Sequence, residues 1–150
     1  MLALMGAMEE EVTLLRDEMT ISDQAVHAGI SVYRGTFQDV PMALAQCGIG
    51  KVNAAICTQM LVDLYKPDCL VFSGVAGGLL PNMAVGDLVI ASHLIQYDMD
   101  LTAFGRRHGE VPGQDRMVES DPKLVQKATD AFDTAFDGKD GAPNLMLGTV

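Results

Sequence analysis

Twice in this chain an apolar run stops at glycine and reopens as a helix-patterned segment, and a third apolar run also ends in glycines. Residues 2–5 lead into Gly6. Residues 47–51, Cys-Gly-Ile-Gly-Lys, precede a segment in which Val52, Ile56, Met60 and Leu64 step by four. Residues 69–72 run into Ser73, Gly74, Val75, Ala76, Gly77 and Gly78. Strand, tight turn and helix form the unit of an α/β sheet. In such sheets the turns at the carboxyl ends of the strands converge on one rim, where ligands bind. Glycines let backbone approach a ligand closely, and helix starts offer unpaired N–H groups.

The first turn carries an unusual load. Residues 6–12 read GAMEEEV, with three adjacent carboxylates where a helix should begin. One reading is dipole chemistry, since acids in a first helical turn are stabilised by the positive helix end, by about 0.3–1 kcal/mol each. That suits Glu9 and Glu10. Glu11 fits it less well: residues at 100° steps cannot all face water, and Glu11 lies beside the apolar Val12. The pattern therefore also allows one carboxylate turned toward a cleft.

The rest of the chain reads as alternating short elements. A helix is expected over residues 9–18 and a polar connection over 20–24. Two strands, 30–37 and 40–46, form an antiparallel hairpin about Gln38-Asp39. The step-of-four residues from Val52 to Leu64, with Ala55 and Gln59 filling the faces, mark a helix that Pro67 ends. A buried strand covers 68–73 and another begins at Leu88. Residues 96–104 are polar and irregular, and 106–119 read as one long surface loop, a class that is usually functional in compact domains. Asp121-Pro122 is a helix start with Asp at the cap and Pro in the first position. Leu124, Ala128, Ala131 and Ala135 are its expected inner face. Residues 144–150 begin a further apolar strand.

Composition excludes several partners. The net charge of −10 argues against nucleic acid or an anionic membrane, both of which need basic surface. No segment approaches the roughly 20 apolar residues of a membrane span. The start lacks a basic leader region, so a cytoplasmic protein is expected. Cys47, Cys57 and Cys69 show neither CxxC nor interleaved histidines, and read as buried thiols of a reducing compartment. His27, His93 and His108 lack metal spacing. Asp98 and Asp100 suit turn and capping roles better than a metal pair. No metal site is expected from these spacings.

Phosphate binding is the usual inference from glycine turns at helix starts. Here no turn spells GxGxxG after its strand or GxxxxGK[ST]. Lys51 is the only basic residue in these turns, and Glu9, Glu10 and Glu11 would repel an anion. A nearby carboxylate suits activation of water instead. The rim thus reads as a site where water attacks an uncharged polar ligand. Phe104, in an otherwise polar stretch, reads as an exposed aromatic of the kind that marks an interface.

Five blocks in register carry a family resemblance: GAMEEEV at 6–12, GIGKVNAA at 48–55, SGVAGGL at 73–79, VGDLVIA at 85–91 and DLTAFG at 100–105. Together the chain resembles the bacterial 5′-methylthioadenosine/S-adenosylhomocysteine nucleosidases of the nucleoside phosphorylase superfamily. The likeness implies a three-layer α/β/α sandwich around a twisted mixed sheet, a homodimer, and no cofactor or metal. It implies hydrolysis of an N-glycosidic bond, releasing adenine and a 5-thio-substituted ribose. By position, Glu11 would hold and activate the attacking water, Met8 would pack under the ribose, and Ile49 would line the pocket. Ala76 and Gly77 would contact the nucleoside. Leu101, Phe104 and Pro112 would reach into the neighbouring subunit's site. Phosphorylases of the superfamily bind phosphate with arginines at the first and third turns, where this chain has glutamates and Phe72-Ser73.

Two departures follow from the same resemblance. Val75 stands where some members have serine. The family also continues past position 150, into a part that supplies an aromatic stacked on adenine, a Met-Glu pair on the ribose hydroxyls and an Asp general acid. Residues 1–150 are thus expected to be a single truncated domain, inactive and marginally folded by itself. The rival expectations are a purine nucleoside phosphorylase, a futalosine-type nucleosidase, and a nucleoside-binding remnant without turnover.

Overall fold

In the computed structural model, which describes Met1–Val150, the first strand lies inside the sheet, between two parallel neighbours. Leu2–Gly6 (β1) pairs in parallel with Val40–Gln46 (β4) on one side and with Cys69–Phe72 (β5) on the other. Thr20–His27 (β2) and Ile30–Phe37 (β3) complete a mixed five-stranded sheet in the order β2-β3-β4-β1-β5. Strand periodicity sends alternate residues of β1 to opposite faces. Ala3 and Met5 join Ile30, Val32, Ala43 and Ala45 on one face, under Cys57 and Leu61 of the helix Lys51–Tyr65 (α2). Leu2 and Leu4 lie on the other face with Met42 and Leu44, under Val12 of the helix Glu9–Glu18 (α1). Residues Met1–Gly77 thus form one compact unit, with a helix on each side of a mixed sheet, the α/β/α layering expected.

The predicted β3–β4 hairpin forms, its Gln38 and Asp39 both at positive φ as a two-residue turn requires. Residues 20–24 are not a connection but the first half of β2. This strand sits at the sheet edge and is exposed along most of its length, so it needs no alternating apolar residues. A bulge between Ile21 and Asp23 interrupts its ladder with β3. Gly35 faces that edge, where an added Cβ would overlap the carbonyl oxygen of Thr20.

The inner face of α2 is not the step-of-four stripe. Cys57 and Leu61 are fully buried, whereas Val52, Ile56 and Leu64 are exposed. The helix is apolar nearly all round, so periodicity could not choose a face. A left-handed Lys66 and then Pro67 end it.

Residues Gly78–Val150 form the second compact unit. Leu88–Leu94 (β6) pairs in parallel with Leu145–Thr149 (β8) and antiparallel with Val118–Glu119 (β7). The expected loop over 106–119 therefore closes on a two-residue strand. Pro122–Phe136 (α3) starts as predicted, Asp121 Oδ1 accepting from Lys123 N at 2.8 Å and Leu124 N at 3.2 Å. Its sheltered residues are Leu124, Val125, Thr129, Phe132 and Phe136, not Ala128, Ala131 and Ala135. The set 125, 129, 132 and 136 is an equally good helical stripe. It wins because larger side chains remove more apolar area from water; Phe132 and Phe136 stack with ring centroids 4.8 Å apart.

Asp87 joins the loop before β6 to the start of β8. Its Oδ2 accepts from Ala84 N at 2.8 Å, and its Oδ1 accepts from Asn144 N at 3.1 Å and Asn144 Nδ2 at 3.0 Å. The backbone N–H groups of Ala84 and Asn144 hold this carboxyl below the ordinary aspartate value of 3.8. A depressed folded-state value contributes stability above the unfolded one, lost as pH falls through the folded one. Asp87→Asn is accordingly expected to lower the melting temperature near neutral pH and to weaken its dependence on pH below 3.8. Equal acid sensitivity in both proteins, measured by thermal melts across that range, would remove Asp87 from this role.

Candidate active site

The parallel ladders bring the three glycine turns together at one end of the sheet. Gly6 is in register with Gln46, and Met5 with Phe72. The ladders extend past the strand ends: Cys47 N donates to Gly6 O at 2.8 Å and Ser73 N to Met5 O at 2.9 Å. Gly50, the cap residue of α2, has φ 105° and ψ 152°, a conformation open only to glycine. Gly48, at φ 82°, packs against Asn53, whose Nδ2 donates to Ile49 O at 2.8 Å.

Glu11, half-buried, lies in the first turn of α1 and folds back over the rim. Its Oε2 accepts from Ala7 N at 2.6 Å and Met8 N at 2.9 Å. Its Oε1 accepts from Val75 N at 3.0 Å, across from the third turn. The carboxylate therefore links two of the three turns and does not extend into bulk solvent. Burial pushes its pKa up, but the N–H donors of Val75, Met8 and Ala7 outweigh this and hold it below the ordinary 4.5. At neutral pH it is an anion with fixed orientation.

The neighbouring acids behave differently. Glu9 receives Arg16 Nη1 at 2.6 Å and Thr13 Oγ1 at 3.2 Å, and the Arg16 hydrogen bond is the main cause of its lowered pKa. Glu10 is exposed. The two readings of the sequence thus divide among the three residues: Glu9 and Glu10 face water on the helix, and Glu11 turns inward. Behind the rim, burial first and the Glu11 charge second push the Cys47 thiol up. Burial, with Cys47 adding to it, pushes Cys57 up to about 11. Both thiols stay protonated and unreactive.

Of the other candidate residues in this unit, Met8 caps α1 and is half-buried, with its N–H on Glu11. Ile49 is 74% exposed on the second turn, and Ala76 and Gly77 are exposed on the third. Leu101, Phe104 and Pro112 belong to the second unit. Leu101 caps a short 3₁₀ turn, Thr102–Phe104, and its carbonyl accepts from Phe104 N at 2.9 Å. Phe104 is 82% exposed, as the sequence suggests. Pro112 is exposed in the loop that follows. Asp100 takes the capping role, its Oδ1 accepting from Thr102 N at 2.9 Å and Thr102 Oγ1 at 2.7 Å. No three His, Cys, Asp or Glu side chains gather as metal ligands would. No helix is long and apolar enough to cross a membrane. Sequence reasoning missed the Val75 N–H. The only signal for it was the glycine before Val75, which marks close approach but not to which side chain.

The sequence profile of the phosphorylase superfamily matches residues 1–150. A 5′-methylthioadenosine/S-adenosylhomocysteine nucleosidase of Geobacillus thermodenitrificans is 42% identical over 144 residues, 96% of this chain and 61% of that protein. Two crystal structures are similar over 99% of the chain. The Neisseria meningitidis nucleosidase of the same name, in complex with methylthio-immucillin-A, superposes with a TM-score of 0.89 at 36% identity over 62% of its length. That of Colwellia psychrerythraea, in complex with adenine, gives 0.87 at 32% identity over 59% of its length. The chain thus spans about three fifths of the relatives it matches.

Proposed function

The chain belongs to the phosphorylase superfamily, and from that premise we propose that it carries the water-activating part of a nucleosidase acting on 5′-methylthioadenosine and S-adenosylhomocysteine. The observation that carries this reading is the seat of Glu11. A carboxylate fixed on the rim by the N–H groups of Ala7, Met8 and Val75 occupies the place where a phosphorolytic enzyme needs cations. The first and third turns hold no arginine. A phosphate there would meet a negative charge, whereas water would meet an acceptor.

In the proposed reaction the bond from the anomeric carbon to the purine nitrogen breaks, and a bond from that carbon to the water oxygen forms. One proton passes from water to Glu11 and on to solvent, while the purine leaves protonated as neutral adenine; that second proton is not assigned to a residue of this chain. A carboxylate held below the ordinary range is a weak base toward free water. It becomes effective late, when the sugar has oxocarbenium character and the attacking water turns acidic. Glu11 therefore orients first and accepts the proton second.

Residues 1–150 act in this reading as part of one nucleoside phosphorylase-like domain. Met8, Ile49, Ala76 and Gly77 bound the sugar and base by position. Leu101, Phe104 and Pro112 serve the partner's site in a cytoplasmic homodimer, for which the exposed Phe104 and the uncovered apolar side of α2 provide contact surface. The test, in a chain spanning the full length of these relatives, is adenine release from both thio-nucleosides, with and without inorganic phosphate, beside futalosine and inosine. Equal rates without phosphate, with the free thio-ribose as product, are expected. A phosphate-dependent rate yielding the sugar 1-phosphate would make the protein a phosphorylase, and preference for futalosine would reassign the substrate.

A further inference from the structure

Gly74 follows the third strand of the rim, yet its φ lies outside the left-handed region. Backbone conformation therefore does not explain a glycine there; the missing side chain does. A Cβ on Gly74 would stand 2.7 Å from Glu11 Oε1 and 3.0 Å from Glu11 Cδ, with Phe72 Cε1 at 3.2 Å. Val75, the next residue, donates its N–H to that same Oε1 at 3.0 Å. The bare backbone of Gly74 and the N–H of Val75 together form one wall of the carboxylate's seat. The other wall is the pair of N–H groups from Ala7 and Met8.

We propose that Gly74 is a positioning residue: the space where its side chain would stand is what lets the Glu11 carboxylate settle on the Val75 N–H and face the rim. This role for Gly74 rests on the reading of Glu11 given above. It distinguishes Gly74 from Gly6, the other glycine beside Glu11. A Cβ on Gly6 would meet Val12 Cγ1 at 2.9 Å, and Glu11 Cβ and the Ser73 carbonyl oxygen both at 3.1 Å. Val12 is fully buried, Glu11 Cβ lies at the fixed base of its side chain and the Ser73 oxygen is strand-end backbone, so Gly6 protects the fold. The two atoms nearest a methyl on Gly74, Glu11 Oε1 and Cδ, end a flexible side chain, and the third belongs to the ring of Phe72, which is 53% exposed. The Glu11 side chain would yield while the turn stays in place.

The experiment compares Gly74→Ala, Glu11→Gln and the double variant in the full protein, with kcat, KM and thermal melts for each. Displacing a catalytic group by about an ångström costs roughly 10²-fold in rate. Gly74→Ala is expected to lose about that much in kcat, with KM close to that of the parent and a melting temperature lowered no more than in Glu11→Gln. In the Glu11→Gln background the same substitution is expected to change kcat by less than about 2-fold, because the group it displaces no longer acts. A Gly74→Ala protein with full kcat, or one that fails to fold, overturns the proposal, and so does an equal loss in both backgrounds. If Glu11→Gln itself keeps full turnover, the reading of Glu11 has failed, an outcome distinct from the failure of Gly74 alone.

Discussion

Glu11→Gln, in a chain spanning the full length of its relatives, is expected to reduce kcat by about 10²–10⁴-fold, the usual contribution of a positioned general base, while KM changes only a few-fold. Glutamine has the shape of glutamate but not its acceptors. The seat presents two N–H groups to one carboxylate oxygen and one to the other. An amide can satisfy the pair from Ala7 and Met8 with its oxygen, but its NH₂ then faces the Val75 N–H, donor against donor. The variant also lacks the charge that water and a developing sugar cation require. Some stability goes with it, since a hydrogen bond to a charged group contributes about 1.5–3 kcal/mol and less where solvent reaches it.

The two readings of this acid separate in that experiment. A Glu11 that only caps α1 would lower the melting temperature and leave turnover intact. A Glu11 that handles water lowers turnover far more than its loss of stability explains. The pH profile gives a second measure. The three N–H donors keep Glu11 ionised below the ordinary 4.5, so an acid limb of kcat/KM set by this residue lies below that value. A limb above it belongs to another group.

Leu61→Ala is expected to destabilise the protein by about 2–5 kcal/mol, the range for truncating a fully buried leucine. Leu64→Ala should cost less than about 1 kcal/mol. Both are leucines near the end of α2, three residues apart. Leu61 is completely buried with Ala3, Met5 and Cys57 between helix and sheet, and Leu64 is 55% exposed. Denaturant titration of the two variants checks this directly. Equal losses would return the inner face to the step-of-four residues Val52, Ile56, Met60 and Leu64.

That contrast shows where sequence reasoning stops. The step of four was a real helical pattern, and the helix lies where the pattern places it. Its inner face was not legible, because Ala54, Cys57 and Leu61 make a competing apolar stripe. In α3 the alanine stripe lost to Val125, Phe132 and Phe136 for the same reason. Edge strand β2 was invisible to periodicity because neither of its faces is fully covered. At the rim, by contrast, the turns, the acid and the lack of arginines were all legible. The identity of the donor that completes the Glu11 seat was not, because Val75 is 64 positions away from it.

The amino-acid order alone determined the strand–turn–helix units, the hairpin at Gln38-Asp39, the helix start at Asp121 and the charge of the rim. Each depends on residues within a few positions of one another, where backbone stereochemistry and local hydrogen bonds dominate. The tertiary structure alone decided which stripe of each helix is buried and which N–H groups receive Glu11. Those outcomes depend on which segments the parallel ladders bring side by side, and residue spacing along the chain does not carry that information.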